Sequence, residues 1–243
     1  MDERDEQPPK PRRTRADALR NRKQILRAAA ELIIEQGPTT PMELIARRAR
    51  VGIATLYRHF PDRTVLLRQV ALDTLRQTTE EATNALAEEP DAFTALARYM
   101  HDSIDLRIGA VMPALADRLS MDDELMEARR LSHEANQALI AAAHQEGSLR
   151  QDVTAADIGL LIVRFTPPLP GAITPNDNHL LSHRHLELVL DGMLRFLSHE
   201  NLPGPMLSIE DLVRLQPGPG QGYASITNEI RAGERGRWWQ RNS

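Results

Sequence analysis

Cysteine is absent from the 243 residues, which excludes a disulfide scaffold, a thiolate metal site and a cysteine nucleophile. Aromatic residues are scarce at 4%, and only Lys10 and Lys23 of the 30 basic residues are lysine. That skew toward arginine, with abundant alanine, points to a GC-rich coding sequence rather than to a function. No apolar run approaches the roughly 18 residues of a membrane span. The opening MDERDEQPPKPRR lacks the apolar stretch of a secretory signal. The expectation is a soluble, cytoplasmic protein with no membrane partner. No G-x-S-x-G, no H-E-x-x-H and no paired-carboxylate signature is present. PGPGQG at 217–222 neither follows a strand nor opens a helix, so it is not a phosphate loop. Neither an enzymatic activity nor a cofactor is expected.

The net charge of −4 is unevenly distributed. Residues 10–63 hold 13 basic and five acidic side chains, net +8, whereas residues 64–200 hold 11 basic and 21 acidic, net −10. A short segment of +8 is an electrostatic footprint for a polyanion.

Helical periodicity runs through nearly all of 16–200, and candidate strands are few. Residues 1–15 are polar and proline-bearing, and read as a disordered basic arm. The first helix is predicted over 17–36, with Ile25, Ala29, Leu32 and Ile33 forming one apolar stripe. Gly37 and Pro38 stop it. Thr40 as N-cap, Pro41 at the first helical position and Glu43 as a capping-box partner predict a short second helix ending near Arg48. A third spans 53–60. Asp62 caps a fourth that runs to about Glu88. Further helices are predicted over 91–108, 112–120, 122–146, 154–166 and 180–200, with Gly147 as a stop and Thr154–Asp157 as a capping box. Residues 166–178 read as a proline-rich loop. Residues 201–243 hold six of the 13 glycines and both tryptophans, and read as a flexible Gly/Pro-rich tail.

Two short helices joined by a tight turn, packed on a longer one and carrying +8, have the shape of a helix-turn-helix. At about 100° per residue, Ile53, Leu56 and Phe60 of the third helix share the expected buried face. Ala54, Thr55 and Arg58 lie opposite, flanked by Tyr57 and His59. Small residues there let the backbone approach the major groove, hydroxyls reach phosphates, and Arg or His donates to base acceptors.

These residues carry a resemblance. NRKQILRAAAELIIEQG (21–37), PTTPMELIARRARVGIATLYRHFPDRTVLLRQV (38–70) and above all ATLYRHFPDR (54–63) resemble the DNA-binding domain of TetR/AcrR-family transcriptional regulators. The resemblance implies an all-α fold. An N-terminal helix-turn-helix domain (16–63) would be followed by a helical ligand-binding and dimerisation domain (64–200). It implies that Thr40, Thr55, Tyr57 and Arg63 hold phosphates of double-stranded DNA, while Ile53, Ala54, Arg58 and His59 face base edges or the groove. One departure stands in the turn. The family pattern Ala-Gly-Val is here Ala49-Arg50-Val51. Arg50 adds a positive charge near the DNA but fits a positive φ only at a cost, and Gly52 is the alternative source of freedom. Lys10, Arg12, Arg13 and Arg15 of the arm are candidates for an adjacent groove.

The resemblance also implies a homodimer and an unknown small-molecule effector. Leu186, Val189, Leu190, Met193, Leu194 and Leu197 recur at three and four, enough for a self-packing seam, with Ile158, Leu161, Ile162 and Phe165 as a partner stripe. Pocket candidates are Tyr99, Met100, Ile104, Met112, Met121, Met126 and Phe165, with His101, Asp105, His133 or Arg164 as polar handles. The acidic balance favours a neutral or cationic effector. His179, His183 and His185 form an H-x3-H-x-H run at a loop-to-helix junction, and no metal is expected there. The resulting function is a repressor that binds a palindromic operator as a dimer and is released by its effector. The alternative is an adaptor recruiting a partner through the tail, supported by Trp238–Trp239.

Overall fold

The computed structural model describes residues 15–167 and 174–194. Among these, nine α-helices and one 3-10 turn account for the regular structure, with no strand beyond a single bridge between Leu149 and Leu194. The chain divides into two compact units after Val70.

The first unit holds α1 (Arg15–Gln36), α2 (Met42–Arg48), α3 (Ile53–His59) and the start of α4 (Arg63–Glu88). The stripe Ile25, Ala29, Leu32 and Ile33 is buried, as are Met42, Ile45 and Ala46 of α2, Leu56 of α3 and its C-cap Phe60, with α1 packed on α2 and α2 on α3. Full burial of side chains of this size contributes about 1.5–3 kcal/mol each. Arg22 of α1 lies over the Phe60 ring, 4.8 Å from its centroid, which ties the end of α3 to the first helix. The Asp62 cap forms as predicted, its Oδ1 accepting from Val65 N at 2.8 Å.

Thr40 departs from its predicted role. Pro41, not Thr40, caps α2, and no side chain closes a capping box. The Thr40 hydroxyl donates inward to the carbonyls of Gly37 at 2.8 Å and Leu32 at 3.3 Å. The hydroxyl thus satisfies carbonyls at the end of α1 and is not available to the start of α2.

In the second unit α5 (Ala92–Asp105) packs on α7 (Asp123–Glu146) and α9 (Pro175–Met193), and α6 (Ile108–Leu115) on α8 (Ala155–Phe165). Caps explain most of the boundaries. Asp91 accepts from Thr94 N at 2.8 Å, Asp122 from Leu125 N at 3.0 Å, and Thr154 with Asp157 forms the predicted capping box. Gly147 ends α7 at φ 71°. Glu146 of α7 reaches α5 and accepts from Ala92 N at 2.8 Å, satisfying one of the orphan donors of a helix start.

Several boundaries differ from prediction: α5 stops at Asp105 rather than 108 and α9 at Met193 rather than 200, and two starts are displaced. The helix expected over 112–120 begins at Ile108, because the chain breaks at Arg107 in the left-handed region (φ 54°) and Pro113 lies inside the helix. A 3-10 turn, Ala116–Arg118, then finishes it. The helix expected from 180 begins at Pro175. Thr174 accepts from Asp177 N at 3.1 Å and Pro175 occupies the first turn, a start signal hidden in a segment that reads as proline-rich loop. The C-terminal end of α9 is tied down by Arg150, whose backbone N donates to Met193 O at 3.1 Å. The Arg150 side chain forms a buried two-pronged pair with Asp152, both contacts at 2.9 Å.

Candidate nucleic-acid interface

The turn between α2 and α3 is built by Arg50. Its φ is 55°. Arg50 N donates to Arg47 O at 3.1 Å and Val51 N to Ala46 O at 3.0 Å. That pair of bonds is the Schellman closure usually given to glycine. Gly52, at φ −68°, is extended and supplies no left-handed freedom. The sequence departure at Arg50 therefore sits at the position with the steric cost.

The buried face of α3 is rotated from the predicted one. Leu56 and Phe60 are buried as expected, but Thr55 is buried with them and Ile53 is 38% exposed. His59 is half-buried. At about 100° per residue, Thr55, Leu56, His59 and Phe60 centre a face that leaves Ile53 at its edge. The opposite side carries Ala54, Tyr57 and Arg58, all exposed. Arg58 Nη2 donates to Thr55 Oγ1 at 3.0 Å, so the guanidinium is held along the helix surface rather than swinging free.

The structure thus brings Arg50, Gly52, Ile53, Ala54, Tyr57 and Arg58 to the solvent side of the turn and α3. It does not bring the Thr40 and Thr55 hydroxyls there. Arg63 is half-buried, and its Nη1 donates to the carbonyls of Thr40 and Pro38. Arg47, which sequence reasoning passed over, stands exposed at the end of α2; its only signal was its place in the Arg47-Arg48-Ala49-Arg50 run. Its neighbour Arg48 is engaged with Glu35 at 2.9 Å and Glu31 at 3.4 Å, and those carboxylates hold its guanidinium pKa above the usual value. Of the arm, Lys10, Arg12 and Arg13 lie outside the described residues, and of Arg15 only the helical backbone is described.

The other sequence candidates fall in the second unit. Tyr99, Met100 and Ile104 are buried in its core, and Phe165 is partly buried against that core. Burial pushes the Tyr99 hydroxyl pKa up, opposed by hydrogen bonds with Ser103 and Asn136. Met112 is half-buried, while Met121 and Met126 are exposed. One turn apart on α7, His133 Nδ1 and Asn136 Oδ1 are buried without a hydrogen-bond partner. Of the residues predicted for a dimer seam, Ile158, Ile162, Leu186, Leu190 and Met193 are buried in the unit's own core. Leu161 and Val189 are half-buried against that core, and Leu194 is half-buried. Leu197 lies outside the described residues, as does the tail with Trp238 and Trp239. A side chain closed off by its own chain has no surface left for a second copy. Among the described residues no helix is long and apolar enough to cross a membrane.

Comparison with known proteins agrees with this geometry. The family model "Bacterial regulatory proteins, tetR family" matches residues 25–70, and "Transcriptional regulator SbtR-like, C-terminal domain" matches residues 91–195. No curated protein matches the sequence. Among solved structures, the TetR transcription regulatory protein from Mycobacterium vanbaalenii is 31% identical, with a TM-score of 0.55 over 74% of this chain and 98% of that one. The TetR transcriptional regulator SCO0520 from Streptomyces coelicolor is 29% identical, with a TM-score of 0.53 over 71% and 98%. The ketosteroid transcriptional regulator KstR2 of Mycobacterium tuberculosis shares the fold at 17% identity and a TM-score of 0.51, over 71% and 94%. With a helix-turn-helix matched at one end, a regulator C-terminal domain at the other and a 31% identical relative covered almost end to end, the chain belongs to the TetR family of bacterial transcriptional regulators.

Proposed function

We propose that the protein is a repressor that binds a palindromic operator as a homodimer and is released by a small-molecule effector. The observation that carries this reading is the exposed face of α3, where Ala54, Tyr57 and Arg58 stand outward behind Gly52. A small residue at that position permits close approach to the groove. The Tyr57 hydroxyl suits a phosphate, and the Arg58 guanidinium suits a guanine edge. Arg47 and Arg50 add charge beside them. Ile53 and His59, at the margins of the face, pack against groove walls. Thr40, Thr55 and Arg63 support the contact surface from behind.

The dimer surface lies on the outward face of α9 rather than on its buried stripe. Leu180 and Leu188 there, two turns apart on one side of the helix, are 60% and 61% exposed, and a second copy would cover them. For the effector, the buried polar atoms of His133 and of Asn136, the latter a hydrogen-bond partner of Tyr99, are the supporting feature. Orphaned buried donors and acceptors are uncommon in native interiors, and a ligand with a complementary polar group would satisfy them. Effector and operator would then bind with reciprocal negative coupling.

The test is a footprint of the purified protein on the DNA flanking its own gene. A protected near-palindromic site is expected, with affinity falling by roughly 0.9 log units per log unit of salt for each neutralised phosphate. Tyr57→Phe should weaken binding across all sequences, whereas Arg58→Ala should mainly relax discrimination at one base position. Absence of any protected palindrome, there or in a genomic selection, would overturn the proposal.

A further inference from the structure

The H-x3-H-x-H run meets in three dimensions a carboxylate and an imidazole from a helix distant in sequence. α5 packs along α9 and brings Asp105 and His101 against the histidines. His183 Nε2 lies 2.8 Å from Asp105 Oδ1, and His179 Nδ1 lies 3.5 Å from the same oxygen. One donor atom from each of the three residues falls within 4.8 Å of the others. The rings of His179 and His183 meet edge to face, with centroids 4.5 Å apart. On the far side, His183 Nδ1 lies 2.5 Å from His101 Nδ1, and His101 Nε2 lies 2.8 Å from Glu187 Oε1. His185, two residues along α9, is exposed and outside the group.

A proton count shows what this line of contacts lacks. From Glu187 through His101 and His183 to Asp105 there are three close contacts, and each needs one positive centre between two electron pairs. Two neutral imidazoles carry only two protons. If His183 Nδ1–H donates to His101 and His101 Nε2–H donates to Glu187, the His183 Nε2 lone pair faces the Asp105 carboxylate with nothing between them. With the other tautomer of His183 the uncovered contact is the one between the two Nδ1 atoms; of these two places, the Asp105 gap is the one where the His179 nitrogen also converges. A proton uses two of these three donors; a metal ion uses all three.

We propose that Asp105, His179 and His183 bind one divalent transition-metal ion of the zinc class, with His101 and Glu187 as positioning residues. Two imidazoles and one carboxylate are a donor set suited to zinc and its borderline neighbours. In a tetrahedral zinc centre, ligand atoms sit roughly 3.3 Å apart, a spacing bracketed by the separations here. The relay from His183 to His101 to Glu187 is the outer-shell arrangement that fixes the tautomer of a metal-bound histidine. Asp105 closes α5, where the negative end of the helix disfavours a carboxylate and a cation relieves it. The His179 and Asp105 side chains are 52% and 47% exposed, so the fourth coordination position opens to solvent. The site joins α5 to α9 inside the second unit, and it stands or falls independently of the DNA-binding reading.

The experiment titrates the full chain, carrying no polyhistidine tag and stripped with chelator, with Zn2+ alone by calorimetry, and with Co2+ alone by visible absorption. One ion per chain at micromolar affinity or better is expected, with cobalt bands of a four-coordinate centre. His183→Ala should abolish binding. Asp105→Asn and His179→Gln should each weaken it by about tenfold or more, and His101→Phe, removing only an outer-shell partner, by about 10–100-fold. His185→Ala should bind as the wild type does. His179→Gln lies at an exposed position, so it reports on the site even if His183→Ala perturbs the fold. Wild-type binding no tighter than that of a His179→Gln/Asp105→Asn double variant, or no binding at submillimolar Zn2+, would overturn the proposal and assign the third positive centre to a proton.

Discussion

Arg63 reaches from the first turn of α4 to the loop before α2 and donates to the backbone carbonyl of Thr40, with a second contact to Pro38 O at 3.2 Å. Thr40 in turn sends its hydroxyl back to α1. The pair braces the entry to α2 from inside. Arg63→Ala should therefore destabilise the protein by about 1.5 kcal/mol, the scale of a hydrogen bond to a charged group. Thermal unfolding followed by circular dichroism checks this. An unchanged Tm together with a shallower salt dependence of DNA binding would instead assign Arg63 to a phosphate.

Arg50 separates stability from DNA binding. It holds φ at 55°, a conformation costing a non-glycine residue about 1 kcal/mol. Arg50→Gly should remove that cost and raise the midpoint of urea unfolding. If the Arg50 charge contacts a phosphate, the same variant should lower operator affinity and reduce the salt slope by about 0.9. Opposite signs in the two measurements are the expected result.

Gly109 is needed for the approach of α6 to α8. A Cβ there would stand 2.7 Å from Ile162 O and 2.8 Å from Thr166 Oγ1, and the carbonyl belongs to backbone that cannot turn aside. Gly109→Ala should cost about 2 kcal/mol as overpacking, although alanine favours helix. Gly159→Ala, where a Cβ meets open space, should gain about 1 kcal/mol from helix propensity. Paired chemical denaturation of the two variants makes the comparison.

The Asp91 cap sets an acid dependence. Bonds from the backbone N and hydroxyl of Thr94 hold its carboxyl pKa below the usual carboxylate range. Because the folded pKa is depressed, the contribution is fully present above the ordinary value and is lost as pH falls through the lowered one. Asp91→Ala should cost about 1 kcal/mol at neutral pH, and the difference from wild type should shrink in acid. Asp91→Asn, which caps without titrating, should show no such convergence with Asp91→Ala.

Leu188 tests the proposed dimer surface. On the exposed face of α9, Leu188→Glu should shift the protein from dimer to monomer in sedimentation while leaving helical content unchanged. Leu190→Glu, at a buried position, should unfold the second unit instead.

The sequence by itself determined that the chain is helical and where several helices end, because those features depend on neighbours within a turn or two. Ile25, Ala29, Leu32 and Ile33 repeat on one stripe and are buried; Asp62, Gly147 and the Thr154–Asp157 box act through groups three or four residues away. It also carried the family, through residues 54–63. Tertiary structure decided what each face meets. An apolar repeat states that a helix buries one side, not against what, so Leu186, Leu190 and Met193 proved to belong to the chain's own core. The turn of α3 that buries Thr55 and frees Ile53 follows from how a two-turn helix seats on its neighbours. The contact of His183 with Asp105, 78 residues apart, exists only because α5 and α9 lie side by side. Local backbone energetics are written residue by residue, whereas chemistry between distant side chains requires the packing that brings them within a few ångströms.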